Sequence, residues 1–281
     1  MNPTTIIDLS HPLLEPVPCY PGDPEFKMSL ACSFPLIAAG SVPVAGTISS
    51  ETDQPDSHVV VRVHALSLGT HTGTHIDAPF HFFPSGQKLH EIPLTQFVGR
   101  AAILDVRHLA RDRGKIRISW ADVTNDGGDT GCRDALAGTA SALSRIGARA
   151  DGKADIVLLW TGWDVHWGTP AYFEHPYFAH DVATALHDLG AKIVGVDVLS
   201  PDETPVDENA ETEHGWGMHE TLLGRGVLIC ENLRGLGELV GAGSGGEEET
   251  WVSLVPLSLH DADGAPVRAY GWKQPLTRVP S

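Results

Sequence analysis

Apolar residues concentrate in three short runs that predict buried β-strands. The runs are Ala102–Val106, Ile156–Trp160 and Ile193–Val198. Each is rich in β-branched residues or leucine and is bounded by polar residues or glycine, as buried strands are.

Two further stretches have helical spacing. Val182–Leu189 places its apolar residues on one helical face and stops at Gly190, a usual position for the end of a helix. Asp134–Ile146 is a weaker helix candidate. Because strands and helices interleave along the chain, the pattern predicts an α/β architecture.

Three segments interrupt this pattern and are predicted to be loops or insertions: Ser33–Ser57, Ala110–Gly131 and Gly241–Thr250. Glycine, proline, serine or charged residues dominate them. None is long enough to link two large domains. We therefore expect residues 1–281 to form a single domain with these loop insertions.

Composition narrows the range of partners. The 281 residues include 19 Lys and Arg against 36 Asp and Glu, a formal charge of −17, which argues against binding to nucleic acid or to an anionic membrane. The four cysteines form no CxxC pair and are expected to be reduced. With no signal-like start and no apolar run of transmembrane length, a cytoplasmic location is expected.

The chemistry-bearing stretch runs from His71 to Phe82, where His71, His75, Asp77 and His81 fall within eleven residues. In an extended chain the four positions share one parity and point the same way, whereas a helix would turn Asp77 about 160° away from His75. The intervening threonines, glycine and proline also oppose a helix. We therefore predict that the four side chains lie on one strand that ends near Pro79.

Imidazole nitrogen and carboxylate oxygen together are the ligand set expected for Zn²⁺, Mn²⁺ or Fe²⁺. The alternative is a strand whose histidines serve the core or the surface. Three histidines on one extended face, with an aspartate among them, favour a metal site over that alternative.

This stretch matches the HxGTHxDxPxHF signature, and the chain resembles the metal-dependent cyclase/hydrolase family, which includes bacterial-type kynurenine formamidase and isatin hydrolase. The opening Asp8–Pro12 and Tyr20–Pro24 segments and the closing Pro266–Ala269 segment also resemble that family. The resemblance implies a single domain of the swivelling β/β/α type, with a mixed sheet or barrel-like core and flanking helices.

The resemblance also implies a ligand set. His71, His75 and Asp77 would hold one metal, and Asp77 would bridge to a second held by His219 and Glu231. His81 would stay uncoordinated and move protons. The family further implies Zn or Mn, one or two ions per chain, and a homo-oligomer, either a dimer or a tetramer.

From the residues themselves, the second ligand pair is weaker evidence. Thr221–Leu223 reads as the end of a short helix, and Val227–Cys230 as a buried strand that places Glu231 at its end. Taken separately, His219 and Glu231 would be ordinary surface residues, and the first cluster is what favours a functional reading.

The implied reaction is hydrolysis of an aryl-linked amide, with conversion of N-formylkynurenine to kynurenine and formate as the best single activity. The alternatives are hydrolysis or cyclisation of an isatin-like cyclic amide or lactone and, outside enzymes, an inactive metal-binding module. Aromatic side chains are predicted to line the substrate pocket, each with core packing as its alternative: Tyr20, Phe80, Phe82 and Trp163. The family often has tryptophan where this chain has Tyr20, so the stacking surface is expected to be smaller or more polar.

Overall fold

The computed structural model describes residues 5–35, 60–110, 114–124, 142–143, 146, 155–205, 212–241 and 248–275. Thirteen strands are assigned within these residues, and we number them in chain order. They are β1 (Ile7–Asp8), β2 (Lys27–Pro35), β3 (Val60–Ser67), β4 (His75–Asp77), β5 (Val98–Asp105), β6 (Arg117–Ile118), β7 (Ile156–Trp160), β8 (Tyr177–Phe178), β9 (Ile193–Val196), β10 (Leu228–Glu231), β11 (Glu248–Ser253), β12 (Gly264–Pro266) and β13 (Tyr270–Pro275).

The helices of the described residues are short. The α-helices are α1 (Arg107–Ala110), α2 (Trp120–Thr124), α3 (His180–Asp188), α4 (Gly217–Gly224) and α5 (Leu236–Gly241). Single 3₁₀ turns occupy Pro79–His81, Leu89–Glu91, Leu94–Gln96, Trp163–His166 and Pro170–Glu174. In the described part of the chain, no helix combines the length and the apolar character that crossing a bilayer requires.

Nine strands form one mixed sheet in the order β1-β13-β11-β5-β7-β9-β10-β4-β12. The central strands β5, β7, β9 and β10 are parallel to one another, and antiparallel strands extend the sheet on both sides. The three strands predicted from apolar runs are β5, β7 and β9, so these predictions and the mixed α/β architecture are confirmed.

The central strand β7 separates two apolar cores. Val157 and Leu159 belong to a core that is closed by α3 and α4, while Ile156, Leu158 and Trp160 belong to a core on the other face. This alternation follows from the two-residue period of a strand. All five side chains are buried, which explains why β7 is apolar at every position.

The second core shows that the sheet curls. It joins Ile7 of β1, at one end of the strand order, to Ile76 of β4 and Ala265 of β12 at the other end. Strands so distant in the order share one core only when the sheet bends back toward itself. The Ser10 hydroxyl, just after β1, donates to the Val267 carbonyl, just after β12, and this bond links the two ends of the strand order.

Helix α3 confirms the helical spacing of 182–189. Val182, Ala183 and Leu186 are buried, and Gly190 follows with a φ of +98°, a conformation that favours glycine. The Asp134–Ile146 candidate lies mostly outside the described residues. Of its described residues, Ala142 and Leu143 are helical and Ile146 is buried.

All three predicted loops contain regular structure, and in Gly241–Thr250 it is the start of β11 at Glu248. Residues 33–35 belong to β2, which pairs with β3 in a separate hairpin, and residues 36–59 lie outside the described residues. The 110–131 segment includes β6 and α2, because Ile118 and Val123 are apolar side chains that pack into the first core. The loop prediction is wrong for these described parts.

Candidate metal centre

Two distant chain segments meet where β4 pairs with β10. The antiparallel register places His75 opposite Glu231 and Asp77 opposite Ile229. His75 and Asp77 point to the same side because they are two residues apart on a strand. As a result, His75 Nε2 lies 3.3 Å from both Asp77 Oδ1 and Glu231 Oε2.

Helix α4 brings His219 to the same point. The Asp202 carboxylate accepts the backbone N–H groups of Met218 and His219, and Asp202 Oδ2 lies 2.7 Å from His219 Nδ1. With Nδ1 held in this way, His219 Nε2 faces the cluster, 3.3 Å from Glu231 Oε1 and 3.7 Å from Asp77 Oδ2.

His75 is held by a different acceptor. Its Nδ1 lies 2.8 Å from the Gly73 carbonyl oxygen, which also accepts Asn232 Nδ2 at 3.0 Å. Gly73 adopts a φ of +64°, and a Cβ there would lie 2.5 Å from Leu13 Cδ2. Glycine is therefore required for the turn that aims His75 Nε2 at the carboxylates.

Three buried polar atoms of this cluster lack a hydrogen-bond partner among the described residues: His75 Nε2, Asp77 Oδ2 and Glu231 Oε1. Polar atoms withdrawn from water are costly unless they are paired. A nitrogen lone pair and two carboxylate oxygens that converge without donors are the complement of a cation. The residues present therefore fit a divalent metal ion.

The ionisation of the cluster leads to the same conclusion. Burial favours neutral histidine, but the Asp77 and Glu231 carboxylates outweigh it and raise the pKa of His75 well above its ordinary value. The pKa of His219 is also raised well above its ordinary value. Its hydrogen bond to Asp202 is the largest of the effects that outweigh burial. Burial opposes ionisation of Asp77, yet the facing histidines hold its pKa well below the usual range. The cluster thus demands positive charge, which protons or a metal ion can supply.

His71 and His81 form a separate arrangement at the mouth of the cluster. Asp263 Oδ2 lies 2.9 Å from His71 Nε2 and 3.1 Å from His81 Nδ1. Hydrogen bonds from these two histidines hold the pKa of Asp263 well below its ordinary value. His71 also reaches inward, because its Nδ1 lies 2.7 Å from Asp77 Oδ1.

Two possible metal-binding triads share Asp77. One consists of His71, His75 and Asp77, and the other of Asp77, His219 and Glu231. In each, one ligand atom per residue lies within 4.8 Å of the others. The structure thus brings together all five residues predicted as ligands.

The prediction of one continuous strand is wrong for two of the four positions. Only His75–Asp77 is a strand, His71 lies in the preceding turn, and His81 lies in the 3₁₀ turn Pro79–His81. The positive φ at Gly73 bends the chain before β4, and Pro79 begins the 3₁₀ turn after it. The side chains of His71 and His81 therefore reach the cluster because of these turns, and not because all four positions share one face of a strand.

A cavity of about 470 Å³ opens onto the cluster. Aromatic rings line part of it: those of Tyr20 and Phe82, two of the four aromatic residues singled out in the sequence, and that of Trp216, which sequence reasoning missed. Phe80 and Trp163 are not among its lining residues. Trp163 is instead buried in the first core, where its indole N–H donates to the Ala171 carbonyl.

Sequence reasoning also missed the two carboxylates that support the histidines. Asp202 lies four residues after the predicted strand Ile193–Val198, on the side of the sheet where side chains reach functional sites, and this was the signal available. Asp263 lies just before the closing segment and has no comparable local signal, because it reaches His71 and His81 through the pairing of β12 with β4, which are distant in the sequence.

Comparisons with known proteins agree on one family. Residues 7–203 match the family model described as "Putative cyclase". The chain is similar to the kynurenine formamidase of Bacillus thuringiensis (strain Al Hakam), with 29% identity over 271 residues, 96% of this chain and 98% of that protein.

Two solved structures share the fold. Isatin hydrolase A from Labrenzia aggregata superposes with a TM-score of 0.65 at 20% identity, covering 96% of this chain and 93% of that one. A structure described as a potential metal-dependent hydrolase with cyclase activity has a TM-score of 0.57 at 23% identity and covers 97% and 99% of the two chains.

Proposed function

This chain belongs to the cyclase family, and from that premise we propose that it is a metal-dependent hydrolase of carbon–nitrogen bonds outside peptides, acting on an N-formyl aryl amide. The observation that carries the proposal is the set of buried, unpaired ligand atoms around Asp77, beside a cavity large enough for an aromatic substrate.

The metal would be held by residues among His71, His75, Asp77, His219 and Glu231, and Asp77 is common to both possible triads. A divalent ion there supplies water of lowered pKa and polarises a carbonyl oxygen. Zn²⁺ and Mn²⁺ both suit this mixture of imidazole and carboxylate.

His81 is assigned the proton transfers. Its Nδ1 faces Asp263 Oδ2, so the neutral ring donates through Nδ1 and keeps the Nε2 lone pair for a proton. His81 takes a proton from the attacking water and delivers it to the departing nitrogen, serving first as general base and then as general acid. Its side chain is 28% exposed, so the ring has access to the cavity.

The substrate class follows from the aromatic lining and the relatives. Phe82 and Trp216 lie edge to face with ring centroids 5.5 Å apart, and both line the cavity, which suits a flat aromatic ring. The kynurenine formamidase relative matches this chain over nearly its whole length, which favours N-formylkynurenine as the substrate and tryptophan catabolism as the setting. The isatin hydrolase likeness is one of fold, and opening of an isatin-like ring is the second candidate.

The test combines metal analysis with a substrate panel. Purified protein should contain one or two equivalents of Zn²⁺ or Mn²⁺ per chain and should release formate from N-formylkynurenine faster than it opens isatin. Faster turnover of isatin would favour the second candidate. Metal-loaded protein that turns over neither compound, nor other aryl amides and lactones, would favour an inactive metal-binding module.

Two predictions from the resemblance complete the proposal: residues 1–281 form a single domain, and the chain assembles as a dimer or tetramer. Light scattering coupled to size-exclusion chromatography measures the mass of the assembly. A mass near 30.0 kDa, that of one chain, would contradict the predicted oligomer.

A further inference from the structure

Tyr20 lies where the site cavity meets a second cavity. It lines the site cavity and also this second one, of about 430 Å³. Its hydroxyl oxygen is buried and has no hydrogen-bond partner among the described residues. Burial, followed by the charges of Glu231, Asp202 and Asp23, raises the pKa of the phenol well above its ordinary value, so the hydroxyl keeps its proton at neutral pH.

Trp216 links Tyr20 to the candidate metal centre through ring contacts. Its ring centroid lies 5.4 Å from that of Tyr20 and 5.6 Å from that of His219. A substrate whose reacting bond lies beside the His219 cluster would therefore present a different part of itself to Tyr20.

From this arrangement we propose that Tyr20 determines specificity by donating a hydrogen bond to a neutral oxygen of the substrate other than the scissile carbonyl. An aryl ketone beside the amide is the chemical class that provides such an oxygen. The inference rests on the proposed function and extends it to the recognition of substituents on the aromatic ring.

The surroundings select among acceptors. Asp23 and Glu231 line the same cavity, and their charge disfavours a carboxylate as the substrate group that faces Tyr20. A substrate ammonium would leave the Tyr20 proton unpaired, because an ammonium group only donates. A carbonyl oxygen accepts the hydrogen bond from Tyr20 and carries no charge. A buried donor that meets no acceptor is penalised, so substrates without this oxygen should be disfavoured.

The test compares two substrates that differ by one acetyl group, formanilide and 2′-formamidoacetophenone. In wild-type protein, kcat/KM should be higher for the ketone. In Tyr20→Phe, the ratio of the two kcat/KM values should fall at least about 10-fold. Tyr270→Phe is the matched control, because Tyr270 is an exposed phenol on β13, and the ratio should stay at its wild-type value.

Two outcomes would overturn the proposal. An equal loss for both substrates would show that Tyr20 acts on the scissile group or on the structure of the cavity. A loss for N-formylkynurenine that exceeds the loss for 2′-formamidoacetophenone would point to the amino-acid carboxylate as the partner.

A binding measurement separates this proposal from the proposed function. Calorimetry should show that 2′-aminoacetophenone binds wild-type protein more tightly than aniline and that Tyr20→Phe abolishes the difference. If all three formyl amides fail as substrates while this preference holds, the proposed reaction is wrong and the role of Tyr20 stands. Equal binding of the two amines by wild-type protein would refute the role of Tyr20.

Discussion

The floor and the rim of the candidate metal centre contain similar residues in different environments. The floor, defined as His75, Asp77, His219 and Glu231, is buried, with exposed fractions of 0–6%. The rim, defined as His71, His81 and Asp263, is partly exposed and pairs its polar groups internally. Unpaired ligand atoms occur in the floor. Burial thus separates a region suited to hold a cation from one suited to exchange protons with water.

The floor should be the most sensitive region. Asp77→Asn removes the charge that faces three histidines, so bound metal should fall below half of the wild-type content and kcat/KM should fall at least about 1,000-fold. Metal analysis and steady-state kinetics measure the two effects. Asp188→Asn, at an aspartate whose side chain is 64% exposed, is the control. Wild-type metal content in Asp77→Asn would contradict the assignment of the floor.

The rim should separate proton transfer from metal binding. His81→Ala should keep its metal while kcat falls at least about 100-fold, because it loses general acid–base chemistry. His71→Ala should lose metal, since His71 is the rim residue that also reaches Asp77. Loss of metal in His81→Ala, or full metal in His71→Ala, would reverse the roles proposed for these two histidines.

The supporting carboxylates should give smaller losses that differ between floor and rim. Asp202→Asn weakens the hold on His219 Nδ1 and should reduce metal affinity about 10- to 100-fold, as loss of such supports does. Asp263→Asn should lower kcat about 10-fold, because Asp263 orients His81. Its effect on metal affinity should be smaller, because His71, which it also contacts, is held by Asp77 as well. Equal effects of both variants on metal affinity would erase the distinction between the two regions.

The smallest effect on the reaction is expected at His175, behind the floor. Its Nε2 lies 2.7 Å from Thr204 Oγ1, two residues beyond Asp202, and burial lowers its pKa to about 4. An unfolded chain binds a proton at this histidine near pH 6.5, so folding stability should fall as pH drops from 6.5 to 4, by about 3 kcal/mol from this residue.

Urea unfolding of wild-type and His175→Gln protein across this pH range measures that contribution. Glutamine does not titrate, so the variant should lose less stability on acidification, and its turnover at pH 7.5 should be near that of wild type. Identical acid profiles would show that another group, such as His11 with its similarly lowered pKa, dominates the acid response.

Local patterns predicted the elements better than they predicted the approach of distant residues. The apolar runs located β5, β7 and β9, and parity placed His75 and Asp77 on one side of β4. The same parity argument failed for His71 and His81, because the turns at Gly73 and Pro79 decide where those side chains point. Trp163 shows a related limit, since an aromatic residue fits a core or a pocket equally well.

The sequence by itself determined the kind of chemistry. A dense set of imidazoles and carboxylates, with glycine and proline at set places, specifies ligands for a divalent ion whatever the surrounding fold. The tertiary structure decided which atoms are buried without partners, which carboxylates support which histidines, and where Tyr20 and Trp216 stand. Those facts depend on strand register and on the curl of the sheet. Register and curl result from many weak interactions spread over the whole chain, so no single residue in the sequence reveals them.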